Sequence, residues 1–240
     1  MLEKELVVAV KAARAAGKVS LKYFGKNFYV KKKGKIDLVT QADIECEKKI
    51  REIISKSFPK DSFLQEESGQ SVGSSKRTWV IDPIDGTTNF AHSIPWFATS
   101  IALMEGEKVL FGVCFNPLSK ELYTARIGRG AFLNGKKISV SKNRDLIDCV
   151  LATGFPYEGG RLADLTIKSM SNLVGHAQGV RRFGSAVLDL CFVARGSFDG
   201  FFEYKLNAWD VAAAGLVVHE AGGVMTDFSG KHASPYAGSF

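Results

Sequence analysis

The stretch Trp79-Val80-Ile81-Asp82-Pro83-Ile84-Asp85-Gly86-Thr87-Thr88-Asn89-Phe90 decides how the rest of the chain is read. A short apolar run of strand type leads directly into two carboxylates three positions apart, with a proline between them and a glycine after. Pro83 fixes one backbone angle and forces the chain to turn, and Gly86 allows a conformation that other residues avoid. Such a turn can aim Asp82, Asp85 and the Ile84 carbonyl at one point. Oxygen donors at that density suit a hard cation such as Mg²⁺, whereas zinc would ask for His or Cys. Asp is also a common turn former, so on this one spacing a purely structural role stands beside the metal site.

Downstream, short β-rich runs at Ala98–Met104, Val109–Phe115 and Leu122–Ala125 are punctuated by Gly and Asn, the pattern of an antiparallel sheet. Asn134-Gly135, between Ala131-Phe132-Leu133 and Ile138-Ser139-Val140, predicts a hairpin. Further strands are expected at Val150–Thr153, Phe201–Tyr204 and Val224–Thr226, and helices at Arg161–Val174, Ser185–Ala194 and Trp209–Ala221. Upstream, Leu6, Val7, Val10, Ala13, Ala16 and Val19 recur at helical steps and predict a helix from about Glu3 to Phe24. Thr40-x-x-Asp43 has the form of a capping box, and Ile44, Ile50, Ile53 and Ile54 give the second helix its apolar face. Helices and strands come in blocks rather than strict alternation, so the fold class is α+β in layers, with no linker or repeat.

The 240 residues include 32 basic and 25 acidic side chains, a net charge of +7. With 45% hydrophobic and 24% charged residues the composition excludes disorder, and no apolar run approaches the roughly 18 residues of a bilayer span. Cys46, Cys114, Cys149 and Cys191 are scattered without a C-x-x-C pair, which reads as free thiols in a reducing compartment. The acidic start Met1-Leu2-Glu3-Lys4-Glu5 is unlike a signal peptide, so a cytoplasmic location is expected. A basic balance fits nucleic acid, a membrane surface or a phosphorylated small molecule, and composition does not choose among them. Lys31-Lys32-Lys33-Gly34-Lys35 reads as a solvated loop rather than a nucleic-acid patch.

Two other acidic sites carry weight. Glu66-Glu67-Ser68-Gly69 follows an apolar segment and alone would be a solvated loop. Asp210, at the start of a long apolar helix, can cap that helix, ligate a metal, or do both. His219-Glu220 begins like a metalloprotease helix but lacks the second His, and Gly128-Arg129-Gly130 reads as a turn. Arg181-Arg182 and Lys205 fit either a second anion or a structural role.

Taken together, Asp82-Pro83-Ile84-Asp85-Gly86-Thr87-Thr88-Asn89, Glu66-Glu67-Ser68, Trp209-Asp210-Val211-Ala212-Ala213-Ala214-Gly215 with Glu220-Ala221-Gly222-Gly223, and Asp37-Leu38-Val39-Thr40 with Asp43 closely resemble the inositol monophosphatase family over nearly the whole chain. The resemblance implies a single catalytic domain over residues 1–240, in the layered αβαβα sandwich shared with fructose-1,6-bisphosphatase. It also implies a Mg²⁺-dependent, lithium-sensitive phosphomonoesterase that uses two or three metal ions. Carried over by position, Glu66, Asp82 and the Ile84 carbonyl would hold the first metal, and Asp82, Asp85 and Asp210 the second. Asp43 would lie near a weaker metal site and the catalytic water, which Thr87 and Glu66 would orient. Backbone N–H groups of Gly86 and Thr87 would approach the phosphate, and Gly184, Ser185, Ala186 and Glu203 the alcohol portion of the substrate, with Asp210 also at its edge.

Departures from the family pattern are few. Gln65 stands where many relatives have Gly, which is expected to alter the loop alone, and the sequence stops at Phe240, short of a final strand and helix. The expected reaction is hydrolysis of a small polyol or sugar phosphate, foremost myo-inositol 1-phosphate, by a homodimer. Fructose 1,6-bisphosphate and 3′-phosphoadenosine 5′-phosphate are the alternative substrates, and Arg181, Arg182 or Lys205 would meet the extra phosphate. The non-enzymatic alternative is an RNA- or ribosome-associated protein on the same fold.

Overall fold

The computed structural model describes residues 2–26, 30–32, 38–157 and 159–240; Asp37 and the lysines at 33 and 35 lie outside them. Eight strands form one twisted mixed sheet: β3 (Ser62–Gln65), β4 (Gly69–Ser71), β5 (Arg77–Asp85), β6 (Ala98–Glu105), β7 (Lys108–Asn116), β8 (Glu121–Arg126), β9 (Ala131–Leu133) and β10 (Lys136–Lys137). Their order is β10-β9-β8-β7-β6-β5-β3-β4. The expected antiparallel pairing holds from β5 to β10, but β3 lies parallel to β5. Parallel pairing needs a return connection, here β4 and the loop that follows it, and that pairing carries no local sequence signal.

Period-two alternation buries both faces of the sheet. Trp79, Ile81, Ile101, Leu103, Phe111 and Val113 point to one apolar core, while Val80, Ala98, Ala102, Met104 and Cys114 point to the other. Helices α1 (Glu3–Tyr23) and α2 (Gln41–Ser57) close the first core. A short ribbon, β1 (Val30–Lys32) with β2 (Leu38–Thr40), connects them. On the second face lie α5 (Ala186–Ala194) and α6 (Ala208–Glu220). A three-stranded parallel sheet packs against α5: β11 (Val150–Thr153) sits between β12 (Gly179–Arg181) and β13 (Gly200–Phe202). Helix α4 (Gly160–Leu173) packs on β12 and completes the α-β-α-β-α succession. Helix α3 (Thr87–Ala91) is a single short turn after β5.

Several local expectations hold. Thr40 caps α2, with both arms of the capping box formed to Asp43. Asn134 and Gly135 both have positive φ (49° and 79°), as a two-residue hairpin turn requires. Others need correction. Val7 and Ile44 are exposed (63% and 56%); Ala13 and Ala16 are buried as expected, joined by Ala9, Ala12, Gly17 and Ser20, and Leu6, Val10 and Val19 pack partly buried against the core. Small residues are demanded there because neighbours come close: a Cβ on Gly17 would lie 2.7 Å from Phe115 Cε1. The second hairpin strand is Lys136–Lys137 rather than Ile138–Val140. Val224–Thr226 forms no strand, since only the Thr226–His232 bridge is made there. Gln65 is fully buried at the end of β3 and accepts a hydrogen bond from Arg51, so its side chain belongs to the packing under the loop. The backbone of Glu203 exchanges two hydrogen bonds with Phe240 (2.9 and 3.0 Å), which pairs the last residues with the continuation of β13.

One close approach positions the site. A Cβ on Gly112 of β7 would stand 2.4 Å from the Ala213 carbonyl, so α6 lies in backbone contact with the sheet. The small residues Ala212, Ala213, Ala214 and Gly215 permit that contact and fix where the N-terminus of α6 ends. Among the described residues no helix is long and apolar enough to cross a membrane.

Candidate active site

Asp82 lies two residues beyond Val80 and so faces the α5–α6 side of the sheet. Between Asp82 and Asp85 the register to β6 shifts: three steps on β5 match two on β6, from Ser100 to Ala98. This bulge re-aims the end of the strand. Pro83, which has no N–H to offer, contributes its carbonyl to Thr99 Oγ1 at 2.9 Å. Gly86 then takes φ +90°, and a Cβ there would meet the Trp96 and Gly184 carbonyls at 3.0 and 3.2 Å. Only glycine fits this turn. Asp85 is received by the N-terminus of α5: its Oδ2 accepts the Val187 N–H at 2.9 Å and the Ser185 hydroxyl.

Asp210 approaches from α6, where its Oδ2 accepts the Asn207 N–H at 2.6 Å. Capping and presentation to the site therefore occur together. Oxygens of Asp82, Asp85 and Asp210 all lie within 4.8 Å of one another. Glu66, in the turn between β3 and β4, lies close enough to Asp82 to raise its carboxyl. Asp82 Oδ1 is buried with no hydrogen bond. Two unneutralised charges about 4 Å apart repel by about 4 kcal/mol at an effective dielectric near 20. Burial first, then Glu66, Asp85 and Asp210, holds the Asp82 carboxyl well above the usual carboxylate range. Burial and Asp85 do the same to Asp210. Asp85 is pushed up to about 7 by burial, against the lowering effect of the Ser185 and Val187 hydrogen bonds.

These groups line a cleft of about 500 Å³ together with Ile84, Gly86, Thr87, Gly184, Ala186 and Glu203. Two expected residues stand behind it instead. Asp43 is fully buried and accepts from the Thr87 hydroxyl (3.3 Å), which also reaches the Ile84 carbonyl (3.1 Å). Ser185 is 1% exposed, its hydroxyl donating to Asp85 and accepting the Leu188 N–H, so it orients Asp85. Glu203 packs on Gly154, where a Cβ would lie 2.1 Å from Glu203 Oε1. Burial, Asp85 and Asp189 push the Glu203 carboxyl up to about 8, and Arg182 opposes them. Arg182 and Lys205 line the cleft, whereas Arg181 turns back to the Val180 carbonyl.

Sequence reasoning missed several supporting residues. Asn89 Nδ2 donates to the Trp96 and Phe183 carbonyls (2.8 and 2.7 Å) and ties α3 to the loop before α5. Its place inside the Asp82–Asn89 motif was the available signal. Asp189, 1% exposed, is pushed up to about 8 by burial and by Asp85. Trp96 draws it down, although neither Trp96 Nε1 nor Asp189 Oδ1 makes a hydrogen bond of ordinary length, so that contact is long and weak. Glu220 is no metal ligand: its carboxylate accepts the N–H groups of Gly128, Arg129 and Gly130 at 2.7–3.0 Å, which explains both lesser motifs at once.

The profile described as the inositol monophosphatase family matches residues 1–239. The chain belongs to the inositol monophosphatase family. The inositol-1-monophosphatase of Caulobacter vibrioides is 44% identical over 222 residues, covering 90% of this chain and 87% of that protein. Nus factor SuhB of Pasteurella multocida is 44% identical over 230 residues, covering 95% of this chain and 86% of that protein. A solved inositol monophosphatase–fructose 1,6 bisphosphatase superposes with a TM-score of 0.82 at 30% identity, covering all of this chain and 91% of the other. As a member of this Mg²⁺-dependent family the chain is a phosphatase.

The donor set fits the family's metal. Asp82, Asp85 and Asp210 offer oxygen donors only, and Asp82 Oδ1 is a buried oxygen that nothing else satisfies. A divalent cation removes the repulsion that raises these carboxyls, but it must compete with protons to bind. Mg²⁺ affinity in this family member is therefore expected to rise with pH through about 7, with proton uptake by the buffer on each binding event below it. The same shifts set a stability trend: a raised folded-state pKa stabilises below the unfolded value of about 3.9 and is lost as pH climbs through about 7. Calorimetric Mg²⁺ titrations at pH 6 and pH 8 in buffers of different ionisation enthalpy check this. Equal affinity with no proton release at pH 6 contradicts it.

Proposed function

We propose that the chain hydrolyses the phosphate monoester of a small polyol or sugar, with myo-inositol 1-phosphate as the preferred substrate. The observation that carries this reading is the convergence of Asp82, Asp85, Asp210 and Glu66 in one cleft that Glu203 and Arg182 also line. The name of the Caulobacter relative supports the substrate choice. Glu66, Asp82 and the Ile84 carbonyl, and Asp82, Asp85 and Asp210, would hold two Mg²⁺ ions, with a weaker third near Asp43. Bound there, the ions supply charge neutralisation of the phosphate and a lowered pKa for water.

The chain's own residues do the positioning. Thr87 Oγ1, held by Asp43 and the Ile84 carbonyl, orients the attacking water together with Glu66. Backbone N–H groups of Gly86 and Thr87 at the start of α3 face the phosphate, where the tight turn lets a ligand come close. Gly184, Ala186 and Glu203 meet the alcohol portion, with Ser185 acting through Asp85. Side-by-side kcat/KM values for myo-inositol 1-phosphate, fructose 1,6-bisphosphate and 3′-phosphoadenosine 5′-phosphate, with Mg²⁺ and with or without Li⁺, test the proposal. A preference for the inositol ester with inhibition by Li⁺ supports it. A strong preference for the nucleotide overturns the substrate choice.

Arg182 and Lys205 in the cleft favour a bisphosphate as the second substrate, in line with the bifunctional solved relative. The identity to a Nus factor supports a further reading, an RNA- or transcription-associated role kept beside catalysis. Filter binding of RNA across a salt series checks it, since phosphate contacts give a steep salt dependence. We also place the protein in the cytoplasm as a homodimer; its four cysteines are free and buried, as a reducing compartment allows.

A further inference from the structure

Helix α2 carries Asp43, Glu47 and Arg51 at successive four-residue steps, which places them on one face, one turn apart. Each reaches a different part of the catalytic wall. Asp43 Oδ1 accepts the Thr87 hydroxyl at 3.3 Å. Glu47 Oε2 accepts the Glu67 N–H at 2.9 Å, and its Oε1 accepts the Ser68 hydroxyl. Arg51 donates to Gln65 Oε1 at 3.0 Å and to Ser71 Oγ at 3.2 Å. Glu66 thus sits between two residues, Gln65 and Glu67, that are both tied to α2, while its own N–H donates to the Ile81 carbonyl at 3.2 Å.

Glu47 is 2% exposed. A buried carboxylate is costly to hold unless its oxygens receive hydrogen bonds, and here both oxygens receive one from the same three-residue turn. We infer that Glu47 is a positioning residue for the metal site: it fixes the 66–68 turn on α2 so that the Glu66 carboxylate is held beside Asp82. Because Asp43 anchors Thr87 from the same helix face, α2 sets the spacing between the group that orients water and the Glu66 arm of the metal site. The inference rests on Glu66 being a metal ligand.

The test is direct Mg²⁺ binding by calorimetry to the full chain, compared for wild type, Glu47→Ala, Glu47→Gln, Glu66→Gln and the Glu47→Ala/Glu66→Gln double variant. Loss of an outer partner of a metal ligand typically weakens the metal about 10- to 100-fold, and that range is expected for Glu47→Ala. The Mg²⁺ concentration for half-maximal phosphatase activity should rise by the same factor. In the Glu66→Gln background Glu47→Ala should add little, because the two act on one interaction. A purely structural Glu47 would lower the melting temperature and leave the Mg²⁺ affinity of the folded protein unchanged, and that result overturns the inference. If Glu47→Ala fails to fold, Glu47→Gln, which keeps the volume, decides the matter by the same criterion with a smaller shift. Wild-type Mg²⁺ affinity in Glu66→Gln would instead overturn the assignment of Glu66 as a ligand, and the role of Glu47 with it.

Discussion

Asp82→Asn should lower kcat by about 10²- to 10³-fold or more and weaken Mg²⁺ binding, while the protein folds and melts at or above the wild-type temperature without metal. The two side chains are nearly the same size, so the packing of a residue that is 2% exposed is preserved. What changes is charge. Asp82 is the member of the cluster raised by all three of Glu66, Asp85 and Asp210, and its Oδ1 has no other partner. A neutral amide cannot ionise, so the metal-free protein loses the cost of charging this buried position, and both proposed metal positions lose a donor. Kinetics at saturating Mg²⁺ together with thermal melts in chelator measure both halves. Near-normal phosphatase activity in this variant would falsify the assignment, and a collapsed melting temperature would show that Asp82 is structural.

Thr87→Ala should cost about 10²-fold in kcat with little change in KM, because it removes orientation of the water rather than binding of the ester. Thr87 is 8% exposed, and its hydroxyl is fixed between Asp43 Oδ1 and the Ile84 carbonyl. Thr87→Ser keeps that hydroxyl and should restore most of the rate. Leaving Asp43 one donor short should also destabilise the alanine variant by about 1 kcal/mol. Equal kcat in alanine and serine variants would show that the methyl group, not the hydroxyl, matters. A rise in KM with kcat intact would move Thr87 to substrate binding.

Much of the framework was legible because its signals are local. Thr40 and Asp43 sit three residues apart and form the capping box their spacing implies, and Asn134-Gly135 makes the turn its φ preferences require. The carboxylates of the cluster stood at ends of elements: Asp82 and Asp85 at a strand exit, Asp210 at a helix start. Their convergence, however, depends on α6 touching β7 at Gly112, a contact between residues about a hundred positions apart. Sequence spacing carries no information about such an approach. The motifs supplied it through resemblance.

The misreadings share a cause. The periodic face of α1 includes the buried Ala13 and Ala16, but the tightest packing runs over small residues beside them, Ala9, Ala12 and Gly17, and Val7 faces solvent. Gln65 and Glu47 carry no local signal for burial; they are buried because each has a partner elsewhere in the chain, Arg51 and the 67–68 turn. Val224–Thr226 has strand-forming residues but finds a single bridge instead of a neighbouring strand. Ser185 and Asp43 show the remaining difficulty. Both were placed by resemblance at the site, and both stand one layer behind it, holding Asp85 and Thr87.

The most direct measurement is the rate of inorganic phosphate release from myo-inositol 1-phosphate by chelator-treated protein as Mg²⁺ is added back. No release without metal, saturable recovery with Mg²⁺, and loss of that recovery in Asp82→Asn are the predicted results. Release that persists in excess chelator, or that Asp82→Asn leaves intact, would contradict hydrolysis at the Asp82–Asp85–Asp210 cluster.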